Sequence, residues 1–170
     1  MGRRVLISLI FVFAAVVLQT TVFAPGRIQL FGAAPNLVLL TVVACARYLQ
    51  AEFAILLGFT GGLMMDLLGG SPIGLWAITL ASVAFVTLRL RDRQVEAGRA
   101  AKAAAVFGLT LGGQLVFAVL GTLFGLGVVA ASGFVAQTLV LPAVYNVVLA
   151  PLVFWGTRVT LRPDERIWAK

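Results

Sequence analysis

Histidine is absent from the 170-residue chain, and that absence removes Ser-His triads and histidine-ligated metal sites from consideration. Cysteine occurs once, as Cys45 inside an apolar stretch, so no intrachain disulfide can form and a packing role is expected. Acidic residues number six, and of these Asp66 alone falls inside a long apolar run. An intramembrane aspartyl protease needs two carboxylates sharing a proton, and the apolar runs supply no second one. No Walker motif, CxxC pair or dinucleotide fingerprint is present, and the glycine pairs lie in apolar runs rather than after a strand. No enzyme activity and no cofactor are expected.

What remains is oil with basic ends. Hydrophobic residues make up 61% of the chain and charged residues 11%, where a soluble domain carries about 25% charged residues. Mean hydropathy is +1.07. The formal net charge of +7 could suggest nucleic acid, but the basic residues cluster at the ends of apolar runs. Membrane topology explains that placement, so no nucleic-acid partner is expected.

The expected fold class is an all-α membrane protein: one transmembrane domain over residues 1–170 with six helices. Helix 1 covers about 5–24, roughly 30 Å of helix. Its basic start and apolar core also fit a signal peptide, but Pro25 directly after the plausible small-residue cleavage site favours a retained helix. Pro25-Gly26 breaks the run. Helix 2 covers about 36–46, with Pro35 placed for a first-turn proline; its core is short for a span, so part of 28–34 is expected within the membrane. Helix 3 covers about 52–68, and Gly69-Gly70 end it. Ser71 then reads as an N-cap and Pro72 as the first position of helix 4, about 72–88. A charged loop from Arg89 to Lys102 follows, either a topology signal or a dock for anionic headgroups or a partner. Helix 5 covers about 103–126. A connection through Gly127, Ser132 and Gly133 leads to helix 6, about 134–159, which Pro142 is expected to bend.

Six spans place every one of the thirteen basic residues except Arg27 on one side. That side is read as the cytoplasm, with both termini inside. Five spans would put either the N-terminal arginines or the basic C-terminal tail outside.

Asp66 is the first candidate site residue. A carboxylate near a helix centre costs about 2.5–3.5 kcal/mol on insertion, which the surrounding Leu, Ile and Phe residues offset at about 0.3–0.6 kcal/mol each. One reading makes Asp66 a structural latch that accepts hydrogen bonds from the Gly69–Ser71 backbone or the start of helix 4. In that reading Gly69, Gly70, Ser71, Pro72 and Gly74 form a locked hairpin. The other readings are partner binding on the outer side, or a small-ligand or proton role. Ala54, Gly58, Gly62 and Asp66 recur every four residues and share one helix face, a small-residue stripe that lets another backbone approach. Gly108 with Gly112, and Gly121 with Gly125, repeat that spacing in helix 5. Asn36, Gln114, Gln137 and Asn146 are uncharged polar residues that either bridge helices or converge on a polar pocket.

Three stretches resemble one family. Leu18-Gln-Thr-Thr-Val-Phe followed by Gly32-Ala-Ala-Pro-Asn-Leu is similar to the opening of the MreD family of bacterial rod shape-determining membrane proteins. Gly58-Phe-x-x-Gly-Leu-x-x-Asp-Leu-Leu-x-Gly-Ser-Pro-x-Gly-Leu resembles that family's most recognisable segment. Pro142-Ala-Val-Tyr-Asn with Leu149-Ala-Pro resembles its last helix. The resemblance implies a non-enzymatic scaffold in the bacterial cytoplasmic membrane that binds an MreC-like bitopic protein. It places the chain in the elongation machinery of side-wall peptidoglycan synthesis, with a RodA-like glycosyltransferase, a class B penicillin-binding protein and MreB. It also implies a distant likeness to the S components of energy-coupling-factor transporters.

Two readings follow. In the first, the stripe of helix 3 or helix 5 offers a groove to the partner's transmembrane helix. In the second, the chain is a small-molecule-binding transporter subunit whose pocket is lined by Asp66, Asn36, Gln114, Gln137 or Asn146.

Overall fold

The computed structural model describes residues 2–23, 29, 31–95, 98–126 and 138–161. Six helices run in order: α1 Gly2–Thr21, α2 Leu37–Ala46, α3 Ala51–Gly69, α4 Leu75–Val95, α5 Arg99–Leu123 and α6 Leu141–Leu161. Among the described residues, four segments are long and apolar enough to cross a membrane: α1, α3, α5, and α6 extended back to Thr138. The chain is an all-α membrane protein. Pro25-Gly26, the connection through Gly127, Ser132 and Gly133, residues 134–137 with Gln137, and the tail from 162 all lie outside the described residues.

The shortest helix is the centre. At ten residues α2 is about 15 Å long, half a bilayer core, and nine of its ten residues are buried. It packs against all five other helices. Its sequence, Leu-Val-Leu-Leu-Thr-Val-Val-Ala-Cys-Ala, has no polar face, as befits a helix that protein surrounds completely. Val12 and Val16 of α1, Leu57 of α3, and Leu80 and Val83 of α4 join it in the core. The outer helices are the reverse. Leu6, Ile10, Phe13 and Val17 form an exposed apolar stripe along α1, and Val148, Leu152, Trp155 and Val159 form another along α6. In a membrane protein such stripes face lipid, which is as apolar as they are.

Several boundaries differ from the sequence expectation. Pro35 precedes the N-cap of α2, and Asn36 is the cap, its side chain accepting from Leu39 N–H. Helix α4 starts at Leu75 rather than at Pro72, because Gly74 has φ +99° and the chain is still turning there. Helix continues through Arg89 and Arg91 to Val95, and α5 already begins at Arg99, so most of the charged loop is helical. Charge marks where a span leaves the apolar layer, not where a helix ends, since Arg, Lys and Gln are good helix formers. In α6, Pro142 occupies the first turn, after a π-helical turn at 138–140, and Pro151 is the internal proline.

Candidate functional site

Asp66 is 2% exposed, and its carboxylate receives four donors. Ser71 Oγ donates to Oδ1 at 2.6 Å and Trp76 N–H to the same oxygen at 3.0 Å. Gly74 N–H at 2.9 Å and Ala77 N–H at 3.3 Å donate to Oδ2. An α-helix leaves its first four N–H groups without intrahelical partners. Here all four are met: Leu75 N–H by Pro72 O, and Gly74, Trp76 and Ala77 N–H by Asp66. Asp66 thus caps α4 from the end of α3, and its negative charge sits at the positive end of the α4 dipole. Of the two donor groups expected, the start of α4 supplies Trp76 and Ala77 N–H, and the other does not contribute as expected. Gly69–Ser71 contribute no backbone N–H to Asp66 among the described residues, and Ser71 donates its hydroxyl to the carboxylate instead of capping α4.

Sequence explains the turn. Gly70 closes α3 at φ +72° and Gly74 sits at φ +99°, both in the region that a Cβ disfavours. Gly69 remains the last residue of α3, and Pro72 lies within the turn, its carbonyl accepting from Leu75 N–H.

Below the turn, α3 and α4 pack backbone to backbone. A Cβ on Gly58 would lie 2.5 Å from Leu80 O, and one on Gly62 would strike the Trp76 carbonyl and come within 2.5 Å of Ala77 Cα. Ala54 is fully buried on the same face. The stripe expected to receive another helix does so, and that helix is α4 of the same chain. It leaves no groove there for a partner. Gly61, one position away, faces α1, where a Cβ would meet Val12 Cγ1 at 2.6 Å.

Helix α5 divides differently. Gly108 and Gly112 are exposed, with nothing within 4 Å of a built Cβ. The close inner contact belongs to the neighbouring Gly113, where a Cβ would meet Leu39 Cδ1 at 2.6 Å and Val83 Cγ2 at 3.0 Å. Gly121 is buried in α5. Gly125, expected to pair with it in packing, lies beyond the helix at φ +76°. Leu126 N–H reaches Gly121 O and Gly125 N–H reaches Thr122 O, so Gly125 terminates α5 in a Schellman turn.

The second polar cluster joins α2, α5 and α6. Asn146 is fully buried; its Oδ1 accepts from Asn36 N–H at 3.0 Å, and its Nδ2 donates to Asn36 O at 3.0 Å and Thr110 Oγ1 at 3.2 Å. Gln19 of α1 accepts from Leu37 N–H at 2.8 Å. Asn146 and Gln19 therefore satisfy the start of a helix that begins inside the bundle, where no water would do so. The asparagines do not converge with Asp66: no hydrogen bond among the described residues links them. Gln114 is buried on α5, and its side chain makes none of the hydrogen bonds among the described residues. Asp66, Asn36 and Asn146, expected to line a ligand pocket, instead bond to backbone and to neighbouring side chains. Gln19 and Thr110 were not picked out as site residues; a glutamine in the last turn of an apolar helix is the signal that could have found the first. Thr110 offers no such signal.

The model of one protein family, rod shape-determining protein MreD, matches residues 2–158. No curated protein and no solved structure matches the chain.

Proposed function

Because this chain belongs to the MreD family of rod shape-determining membrane proteins, we propose that it works as a non-catalytic scaffold which receives the transmembrane helix of an MreC-like bitopic partner. The observation that carries this reading is the open face of α5. Gly108 and Gly112 border an apolar recess of about 160 Å³ between α4 and α5, with Ser82, Val86 and Val116 along its walls. Exposed glycines let a second helix backbone come close, and helix association in lipid relies on such packing rather than on a hydrophobic force. The helix 3 stripe is already filled by α4, so α5 is the face that remains.

In this reading the chain sits in the bacterial cytoplasmic membrane with its basic end inside, crosses it several times, and links the partner to side-wall peptidoglycan synthesis. A RodA-like glycosyltransferase, a class B penicillin-binding protein and MreB filaments are the further members of that assembly. Scaffolding needs no reacting group, which suits a chain with no histidine and no second acid in its apolar runs. The alternative of a small-molecule-binding transporter subunit is less well supported, because Asn36 and Asn146 are committed to each other.

Gly108→Leu tests the proposal. A Cβ added at Gly108 has no atom from outside its own helix within 4 Å, so the fold is expected to tolerate the change, while co-purification with the MreC-like partner should drop about tenfold and rod shape should fail. Undiminished recovery of the complex with normal rods would remove α5 as the contact.

A further inference from the structure

The end of the bundle opposite the Asp66 turn carries a cavity that scaffolding does not use. Three parts of the chain meet there: the first turn of α1, the connection between α2 and α3, and the last third of α4. They border an open cavity of about 610 Å³. Arg4, Arg89 and Arg91 line it, together with Tyr48, Gln50 and Ala51. Arginine stays charged at any physiological pH, and its planar fork suits phosphate oxygens.

The two α4 arginines are held in place. The Arg89 guanidinium lies 5.2 Å from the centre of the Phe85 ring, and Arg91 Nη1 donates to Leu49 O at 3.4 Å. A second positive feature points the same way. Helix α3 starts at Ala51, and its N-cap Gln50 makes no side-chain capping bond. Its first intrahelical bond runs from Ala54 N–H to Gln50 O, and among the described residues no side chain caps the N–H groups before it. Those N–H groups and the α3 dipole add to the attraction for an anion. The one carboxylate on that turn, Glu52, is exposed and does not line the cavity. Behind the charges the wall is apolar, formed by Ile55, Phe85 and Leu88. A cationic rim over an apolar wall, where the spans meet the basic side of the membrane, matches an amphiphile with an anionic head.

We infer that this cavity binds the phosphodiester headgroup of an anionic phospholipid, with Arg4, Arg89, Arg91 and the start of α3 on the phosphate and the Ile55–Phe85–Leu88 wall on the glycerol and upper acyl chain. The site is separate from the α5 face and stands or falls without it.

Native mass spectrometry of the full chain in mild detergent, titrated with phosphatidylglycerol, tests it. Phosphatidylglycerol should bind at least tenfold more tightly than phosphatidylcholine. Each arginine contributes about fivefold, so R4Q/R89Q/R91Q should weaken binding roughly a hundredfold. Ala51→Trp keeps every charge but fills the cavity, and should weaken phosphatidylglycerol binding at least tenfold; it decides the matter should the triple variant fail to fold. R3Q/R158Q, which removes two cations that do not line the cavity, should stay within twofold of the parent. Equal binding of the two lipids, parent-like binding by Ala51→Trp, or an equal loss in R3Q/R158Q would overturn the proposal. So would competition by free glycerol 1-phosphate at the concentration at which the lipid binds, since the site would then take phosphate alone.

Discussion

Asp66 gathers four donors from within eleven residues of itself, whereas Asn146 reaches 110 residues back to Asn36. Both satisfy the N–H groups at the start of a helix, and they do it by different means. Asp66 uses a charge, at the rim of the bundle, to cap α4. Asn146 uses a neutral amide, whose donor and acceptor pair with one residue's C=O and N–H, to hold the start of the buried α2. The difference teaches that a lone intramembrane acid is not by itself a catalytic or transport signal. A carboxylate oxygen pair accepts more hydrogen bonds than any neutral side chain, and a turn with three converging N–H groups and a hydroxyl uses that capacity in full.

The widest separation between the two clusters should appear on removing Asp66. Asp66→Leu leaves three amide donors without an acceptor at about 1–3 kcal/mol each, and because two of them are only part-buried and water can compensate in part, a loss of roughly 3–5 kcal/mol is expected. Asp66→Asn keeps one acceptor oxygen. Because the carboxylate uses both oxygens, the amide variant should satisfy only two of the four donors and fall between parent and Asp66→Leu in thermal melts. Gly62→Ala comes next, at about 1–3 kcal/mol, because its Cβ must displace α4 backbone rather than a flexible side chain. Asn146→Leu should cost about 2 kcal/mol, from three bonds that average about 0.6 kcal/mol each in a membrane interior. Thr110→Val, which removes one of those partners, should cost about 0.6 kcal/mol. Melting curves in one detergent rank the five variants. A loss in Asn146→Leu as large as that in Asp66→Leu would erase the distinction drawn between charged and neutral clusters.

That distinction also explains what could be read from the chain alone. The hairpin was legible because its parts are consecutive: an acid, two glycines, a serine, a proline and a third glycine within nine residues. Helix number and order followed from the apolar runs in the same way. Where the structure departs, the cause is contact over distance. The spacing of Gly58 and Gly62 announces a close neighbour but cannot say whether it is α4 or another protein. Gly113 rather than Gly112 carries the inner contact of α5, because which side of a uniformly apolar helix faces inward is set by α2 and α4. The central position of α2 was not visible either, since ten apolar residues look too short to span and give no hint that five helices surround them. Pro142 was expected to bend the last helix, but α6 starts at Leu141, so Pro142 falls in its first turn and Pro151 is the internal proline.

Hydrogen exchange at the start of α4 tests the latch most directly. In the parent protein the amides of Gly74, Trp76 and Ala77 should be protected, each bonded to Asp66. In Asp66→Asn at least two of the three should exchange markedly faster, while Ile78, bonded to Gly74 O, keeps its protection. If all three stay as protected as in the parent while cells carrying the variant lose their rod shape, Asp66 serves a function that needs its charge, and the latch account is wrong.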